Sequence, residues 1–177
     1  MMKQTNRYFL FLLTVWILMI PVVRVRAQDT EKEINLKAVF LYNFTKYVSW
    51  QNTGNSNFII GVFGKSQIIN PLNQIAKSNY VEGKKIVVLN FMKPEDVTHC
   101  DILFISKNAT APIFSVASQT GKGTLIVSEQ PAGTASGADF NFVLDEDKLR
   151  FEASLKAINF SGLKVSAQLL KLAILLD

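Results

Sequence analysis

Four runs of mostly apolar residues, each five to seven residues long, constrain the fold of this chain more than any other feature. They are residues 58–62 (FIIGV), 85–91 (KIVVLNF), 101–105 (DILFI) and 124–128 (TLIVS). Strands that are apolar on both sides are typical of a parallel sheet whose two faces are both covered. Two short helices are predicted between them, one with Pro71 near its start and one that opens at Pro112. The pattern predicts an α/β fold in three layers, a mostly parallel sheet with flanking helices.

The pattern changes in the C-terminal part of the chain. Residues 138–144 (ADFNFVL) and 148–153 (KLRFEA) alternate apolar and polar side chains on either side of a short acidic turn. This alternation predicts an antiparallel hairpin, which we expect at the edge of the sheet. Residues 154–159 and 166–176 are expected to form two helices on either side of Gly162.

The segment 31–50 (EKEINLKAVFLYNFTKYVSW) predicts a long first helix. Its apolar residues recur at spacings of three and four and extend around most of the helix. Such a helix is buried on most sides, within the domain or against a partner. Lys37, Asn43 and Lys46 form a narrow polar stripe, which we interpret as the solvated side of this helix.

Three aromatic residues in or just after this helix are candidates for partner binding. Aromatic side chains are the residue types that anchor protein interfaces. On that basis Tyr42, Tyr47 and Trp50 are predicted to contact a partner. The alternative is that the aromatic residues of this helix belong to the core, and it is at least as strong for Phe40 and Phe44.

Residues 1–27 have the features of a secretory signal peptide. Lys3 and Arg7 precede an apolar run over residues 9–23, and Val25 and Ala27 occupy the positions that a signal peptidase reads. The alternative is a retained membrane anchor, but the run is shorter than the ~20 residues that span a bilayer. We therefore expect cleavage and a periplasmic protein without direct membrane insertion, with residues 28–177 forming a single α/β domain.

The basic charge of the chain is largely a property of this signal. The whole chain has 19 basic and 14 acidic residues, and four of the basic residues lie within residues 1–27. The mature chain is therefore close to neutral. Nucleic-acid binding needs a cluster of basic residues that displaces counterions, so it is not expected here.

The segment 61–66 (GVFGKS) resembles the end of a phosphate-binding loop. The full motif, G-x-x-x-x-G-K-[ST], needs a glycine at position 59, which is Ile59. A nucleotide-hydrolysing enzyme is therefore not expected. In an open parallel sheet, the crevice at the carboxyl ends of the strands is the usual ligand site. The predicted ligand-binding residues at this crevice are Gly64, Lys65, Ser66, Ser128 and Glu129, with Ser106 and Lys107 between them. The simpler alternative is that Gly64 makes a turn and Ser66 caps a helix.

Catalytic and metal-binding residues are not expected. His99 and Cys100 are the only histidine and cysteine, which is too few for a zinc site of the usual Cys/His type. Neighbouring strand residues point to opposite faces, so His99 is not positioned to activate Cys100, whose simplest interpretation is a buried inert thiol. Arg150 and Glu152 are expected to form a surface ion pair. We predict a non-enzymatic protein without a cofactor.

Blocks of sequence along almost the whole mature chain resemble the YfiR-like family of bacterial periplasmic proteins. The blocks are residues 36–50, 60–64, 100–105, 124–129, 141–143 with 149–152, and 162–166 with 169–173. The resemblance implies a compact α/β regulator that tends to form homodimers. The family's namesake restrains an inner-membrane diguanylate cyclase by binding its periplasmic part, and so limits cyclic-di-GMP signalling and biofilm formation. The namesake's disulfides have no counterpart, since Cys100 is the only cysteine.

Two functions from different classes follow from the sequence. The resemblance implies a periplasmic regulator that binds the periplasmic part of a membrane signalling protein, with a diguanylate cyclase as the expected partner. The alternative is a periplasmic module that binds a small ligand and has no cyclase partner.

Overall fold

The computed structural model describes residues 30–50 and 55–176, and the predicted signal peptide, residues 1–27, lies outside these ranges. Within the described ranges, no helix is long and apolar enough to cross a membrane. The helices are α1 (Glu31–Phe44), α2 (Ile69–Ser78), α3 (Ile113–Ala117), α4 (Leu155–Ser161) and α5 (Ala167–Leu170). The strands are β1 (Val48–Ser49), β2 (Asn57–Phe63), β3 (Tyr80–Val81), β4 (Lys84–Phe91), β5 (Ile102–Ile105), β6 (Leu125–Ser128), β7 (Phe140–Asp145), β8 (Lys148–Ser154), β9 (Lys164–Val165) and β10 (Ile174–Leu176).

The main sheet has eight strands in the order β10-β8-β7-β6-β5-β2-β4-β3. Among the described residues of this sheet, the β7–β8 and β3–β4 pairs are antiparallel, and the other five neighbouring pairs are parallel. The predicted α/β fold with a mostly parallel sheet is confirmed. The four apolar runs of the sequence correspond to β2, β4, β5 and β6. A separate small sheet pairs β1 with β9.

The two faces of the sheet carry two separate hydrophobic clusters, which gives the predicted three layers. Within β5, Ile102 and Phe104 point to one face, and Leu103 and Ile105 point to the other. Helices α1 and α2 cover the first face, while α3 covers the second. Both faces of a central strand are therefore buried, which explains why its sequence is continuously apolar.

Helix α1 is fixed at its start by a cap and along its length by aromatic contacts. The Thr30 hydroxyl accepts a hydrogen bond from the Glu33 amide at 3.2 Å. Near the end of the helix, the Phe44 ring lies 4.9 Å from the Phe140 ring and 5.1 Å from the Phe151 ring, measured between centroids. The helix therefore packs on β7 and β8, which carry those two rings.

The predicted hairpin is present as β7 and β8, and two details differ from expectation. The hairpin is not the last element of the sheet, because β10 pairs with the outer side of β8. Arg150 pairs with Asp145 at 2.6 Å, its diagonal neighbour across the hairpin, and not with Glu152. The Glu152 carboxylate instead accepts hydrogen bonds from Thr134 and Asn141. The expected Arg150–Glu152 pair is therefore wrong.

The C-terminal helix predicted over residues 166–176 is also wrong in its second half. Helix α5 ends at Leu170, and Ile174–Leu176 form strand β10. The open side of β8 offers backbone hydrogen bonds that a strand can use. The spacing of apolar residues in so short a segment does not distinguish a helix from a strand.

Candidate functional site

A crevice of about 440 Å³ opens at the carboxyl ends of β2 and β5. The chain leaves β2 towards β4 on one side and returns as β5 on the other side of β2, so the connections of these neighbouring strands diverge. Such a switch point is where open α/β sheets usually bind ligands. The residues that line the crevice are Ile34, Lys65, Ser66, Gln67, Lys107, Asn108 and Glu129.

The turn after β2 brings Gly64, Lys65 and Ser66 to this crevice. Gly64 is buried and has a φ of +89°, and a Cβ there would lie 2.7 Å from the Ser106 hydroxyl. Only glycine fits this close approach between the turn after β2 and the turn after β5. The Ser66 hydroxyl accepts a hydrogen bond from the Ile68 amide at 3.3 Å, just before α2. The turn named in the simpler interpretation is therefore present at Gly64, whereas α2 has no side-chain cap, because Ser66 bonds to the amide of Ile68 before the helix begins.

The walls of the crevice are held by hydrogen bonds between the turns. The Lys65 carbonyl accepts from the Ser106 hydroxyl and from the Asn108 side-chain amide, both at 3.4 Å. The Gln130 side-chain amide donates to the carbonyl groups of Ser106 and Ala109. The shape of the crevice is thus built into the connections between strands.

Glu129 lies on the wall of the crevice in a buried ionic network. Its carboxylate accepts hydrogen bonds from the Lys37 ammonium group at 2.7 Å and from the Lys107 backbone amide at 3.0 Å. Lys37 also pairs with Glu33, one helical turn earlier, at 2.7 Å. The side chains of Lys37 and Glu129 are only 6% and 5% exposed.

This network corrects the expectation that Lys37 belongs to a solvated stripe of α1. Lys37 faces the sheet and ties α1 to the turn after β6, while Lys46 remains exposed. The Glu33–Lys37 spacing of four residues was the one local signal for a pair. The contact to Glu129, 92 positions later, has no signature in the sequence.

Not all of the predicted ligand-binding residues reach the crevice. Lys65, Ser66 and Glu129 line the crevice, whereas Gly64 is buried in the turn behind it and the Ser128 side chain is fully buried. The Ser128 hydroxyl accepts a hydrogen bond from the Gln130 amide at 2.9 Å and so shapes the turn. Gln67 and Asn108 also line the crevice, and no pattern in the sequence distinguishes them from other polar residues in loops. A ligand-binding role for any of these residues stays a prediction.

The three aromatic candidates for partner binding are half-buried against the first hydrophobic cluster. The Trp50 indole donates to the Asp101 carbonyl at 2.8 Å, and its ring packs edge-on against Phe58. The Lys46 ammonium group lies 4.7 Å from the centre of the Tyr42 ring. Tyr47 packs against the same cluster. Each residue has a structural role, and partner binding by the three remains a prediction.

Cys100 is a buried free thiol next to a structural carboxylate. Burial and the neighbouring charge of Asp101 raise the pKa of the thiol to about 12, so the reactive thiolate is not formed near neutral pH. Asp101 accepts a hydrogen bond from the Ile59 amide at 2.7 Å. The expected burial of Cys100 is confirmed, and its lack of reactivity stays a prediction.

A comparison with known protein families identifies the family of this chain. A family model described as YfiR/HmsC-like matches residues 34–174. The chain belongs to the YfiR/HmsC-like family. Members of this family are periplasmic regulators of cyclic-di-GMP signalling, and the family is regulatory, not catalytic. The resemblance inferred from the sequence blocks is therefore confirmed.

A solved structure supports the fold of this YfiR/HmsC-like chain. The crystal structure of a conserved domain protein from Vibrio cholerae O1 biovar El Tor matches with a TM-score of 0.54 and 13% sequence identity. The match covers 81% of this chain and 60% of that chain. At this identity the likeness is one of fold alone. No curated protein matches the chain.

Proposed function

We propose that this protein is a periplasmic regulator that binds the periplasmic part of an inner-membrane diguanylate cyclase and restrains it. The observation that carries the proposal is the match of the YfiR/HmsC-like family model over residues 34–174. The features of a signal peptide in residues 1–27 support a periplasmic location. The regulation is carried by protein contacts and needs no catalytic residue.

The outward side of α1 is the contact surface that we propose for the partner. Leu36 and Val39 lie three residues apart on this side, with side chains 40% and 44% exposed. Half-buried Phe40 and Tyr42 flank them. Single exposed apolar residues are common on soluble proteins, so these two side chains locate a surface but do not identify a partner. Tyr42 is the predicted aromatic residue closest to this surface along the helix.

Capture of the partner from membranes tests the proposal. The tagged protein is exported from its full-length gene, cross-linked in living cells and purified with whatever inner-membrane protein it binds. We expect mass spectrometry to identify a protein with a periplasmic segment and a cytoplasmic diguanylate cyclase domain. Recovery of folded bait without any such protein would count against the proposal.

A pair of matched variants tests the location of the surface. The double variant Leu36→Ser/Val39→Ser removes the exposed apolar groups of α1 and is expected to reduce capture about tenfold or more, as loss of an interface anchor does. Phe114→Ser is the control, because Phe114 is 74% exposed on α3, on the opposite face of the sheet. Equal capture by both variants would place the contact elsewhere. The predicted homodimer is checked separately by analytical ultracentrifugation of the exported protein.

A further inference from the structure

The crevice at the carboxyl ends of β2 and β5 has features of a binding site that the proposed contact with a cyclase does not use. Its volume of about 440 Å³ falls within the range of roughly 300–1,000 Å³ that small-molecule sites occupy. Its position follows from the order of the strands, because it lies where the connections of β2 and β5 diverge. The site is therefore large enough and suitably placed for a small organic molecule.

The crevice is formed before any ligand arrives. Gly64 lets the turn after β2 lie against the turn after β5, and hydrogen bonds to the Lys65 carbonyl hold the two turns together. The Asn90 side-chain amide adds a further support, because it donates to the carbonyl groups of Val62 and Gly64. A preformed site loses little conformational entropy when it binds, which favours affinity for a small ligand.

The charges of the crevice favour an anion. Its lining includes two lysines, Lys65 and Lys107, and one carboxylate, Glu129. The Glu129 carboxylate already accepts hydrogen bonds from the Lys107 backbone amide and from the Lys37 ammonium group, which it shares with Glu33. Within residues 30–50 and 55–176, no carboxylate pairs with the exposed Lys65 side chain. The Lys65 ammonium group is therefore the charge at the crevice that an added anion can pair with.

We propose that this crevice binds a small organic anion, a carboxylate or a phosphate, and that the Lys65 ammonium group holds its charge. Asn108, Gln67 and Ser66 supply neutral hydrogen-bonding groups around the anion, and Ile34 on α1 supplies an apolar contact. The turn at Gly64 and the hydrogen bond from the Ile68 amide to the Ser66 hydroxyl belong to the fold in any case. They account for those two residues, but they do not require a lysine between them.

The proposal is tested by titrating the ¹⁵N-labelled exported protein with sodium phosphate and, separately, with sodium succinate. Sodium chloride keeps the ionic strength constant, so that general screening is the same at every point. We expect saturating shifts of the backbone amide signals of Lys65, Ser66, Gln67, Lys107 and Asn108. The anion that saturates at the lower concentration identifies whether a phosphate or a carboxylate is preferred.

Variants distinguish binding of an anion at the crevice from non-specific attraction of anions to exposed lysines. Lys65→Ala is expected to weaken binding about tenfold, the effect of losing one charge-assisted hydrogen bond. Lys65→Arg keeps the charge and is expected to retain most of the affinity. Lys77→Ala is the control, because Lys77 is an exposed lysine in the last turn of α2, away from the crevice.

The following results would overturn the proposal. Shifts that rise linearly with both anions would indicate an adventitious ion only, as would shifts spread over lysines throughout the protein. Equal affinities of Lys65→Ala and Lys77→Ala would remove Lys65 from any binding site. Since Lys65 is exposed, its variants are expected to fold, and an unchanged thermal midpoint confirms this before each titration. None of these measurements depends on a cyclase partner.

Discussion

Replacement of Lys37 by methionine is expected to destabilise the protein strongly although it removes only one lysine from a helix. The ammonium group lies 2.7 Å from each of two carboxylates, Glu33 and Glu129. Each such contact has a gross Coulomb energy of about 6 kcal/mol at an effective dielectric constant of about 20. Desolvation offsets much of this gain, so the net value of the intact network is small.

The loss of stability in Lys37→Met arises from the Glu129 carboxylate, which stays buried without its charged partner. In Lys37→Met, the Glu129 carboxylate stays 5% exposed and keeps only the Lys107 amide as a partner. Removal of one partner of a buried ion pair costs about 3–5 kcal/mol in general. We expect a cost of about 3 kcal/mol, the lower end of that range, because the other carboxylate, Glu33, is 17% exposed and can be hydrated when Lys37 is absent. For a protein of this size, that loss lowers the thermal midpoint by about 6–12 °C.

Urea unfolding followed by tryptophan fluorescence measures the change in the free energy of unfolding. Lys32→Met is the matched control, since Lys32 is an exposed lysine on the same helix, and its substitution is expected to change stability by less than about 0.5 kcal/mol. The double variant Lys37→Met/Glu129→Gln should recover most of the loss, because no buried charge is left without a partner. The reasoning is refuted if Lys37→Met is as stable as Lys32→Met, or if the double variant is the least stable of the set.

Three further predictions concern the core. Burial raises the pKa of Asp139 from 3.8 to about 6, against the opposing effect of hydrogen bonds from the Ile126 amide and the Ser161 hydroxyl. The folded protein therefore binds the proton more tightly than the unfolded chain. This contribution to stability is present below about pH 4 and is lost as the pH rises to about 6, a change of about 3 kcal/mol that urea unfolding should show and Asp139→Asn should flatten. Gly61→Ala is expected to cost about 2 kcal/mol, because its Cβ would lie 2.6 Å from the Cys100 sulfur, and to cost less in a Cys100→Ala background. Mass spectrometry is expected to find Cys100 alkylated by iodoacetamide in urea but not in the folded protein, and rapid labelling of the folded protein would contradict its burial.

The mostly parallel character of the sheet could be predicted, because each apolar run that indicates it lies within one short segment of the sequence. A strand buried on both faces is mostly apolar, and β2, β5 and β6 have that pattern in their sequences, whereas β4 is equally apolar but only partly buried. The hairpin could also be predicted, because apolar and polar residues alternate on either side of the acidic turn, where Glu146 and Asp147 both have positive φ in the structure. Strand β10 could not be predicted in this way, because it exists only where β8 leaves an unpaired side.

The candidate site was only partly predictable for the same reason. The rule for open α/β sheets located the crevice, and three of the predicted residues, Lys65, Ser66 and Glu129, line it. The role of Lys37 depends on a carboxylate that approaches it only in the folded chain. The burial of Ser128 depends on the turn that follows it, so its position could not be read from the strand alone.

The cellular concentration of cyclic-di-GMP shows whether the protein restrains a diguanylate cyclase in living cells. It should be measured in cells that lack the gene and in the same cells complemented with the wild-type protein, with Leu36→Ser/Val39→Ser or with Phe114→Ser, each at equal periplasmic abundance. We predict that deletion raises the concentration, that the wild type and Phe114→Ser restore it, and that the α1 double variant does not. An unchanged concentration on deletion would contradict a regulator that restrains a diguanylate cyclase, and full restoration by the double variant would contradict contact through α1.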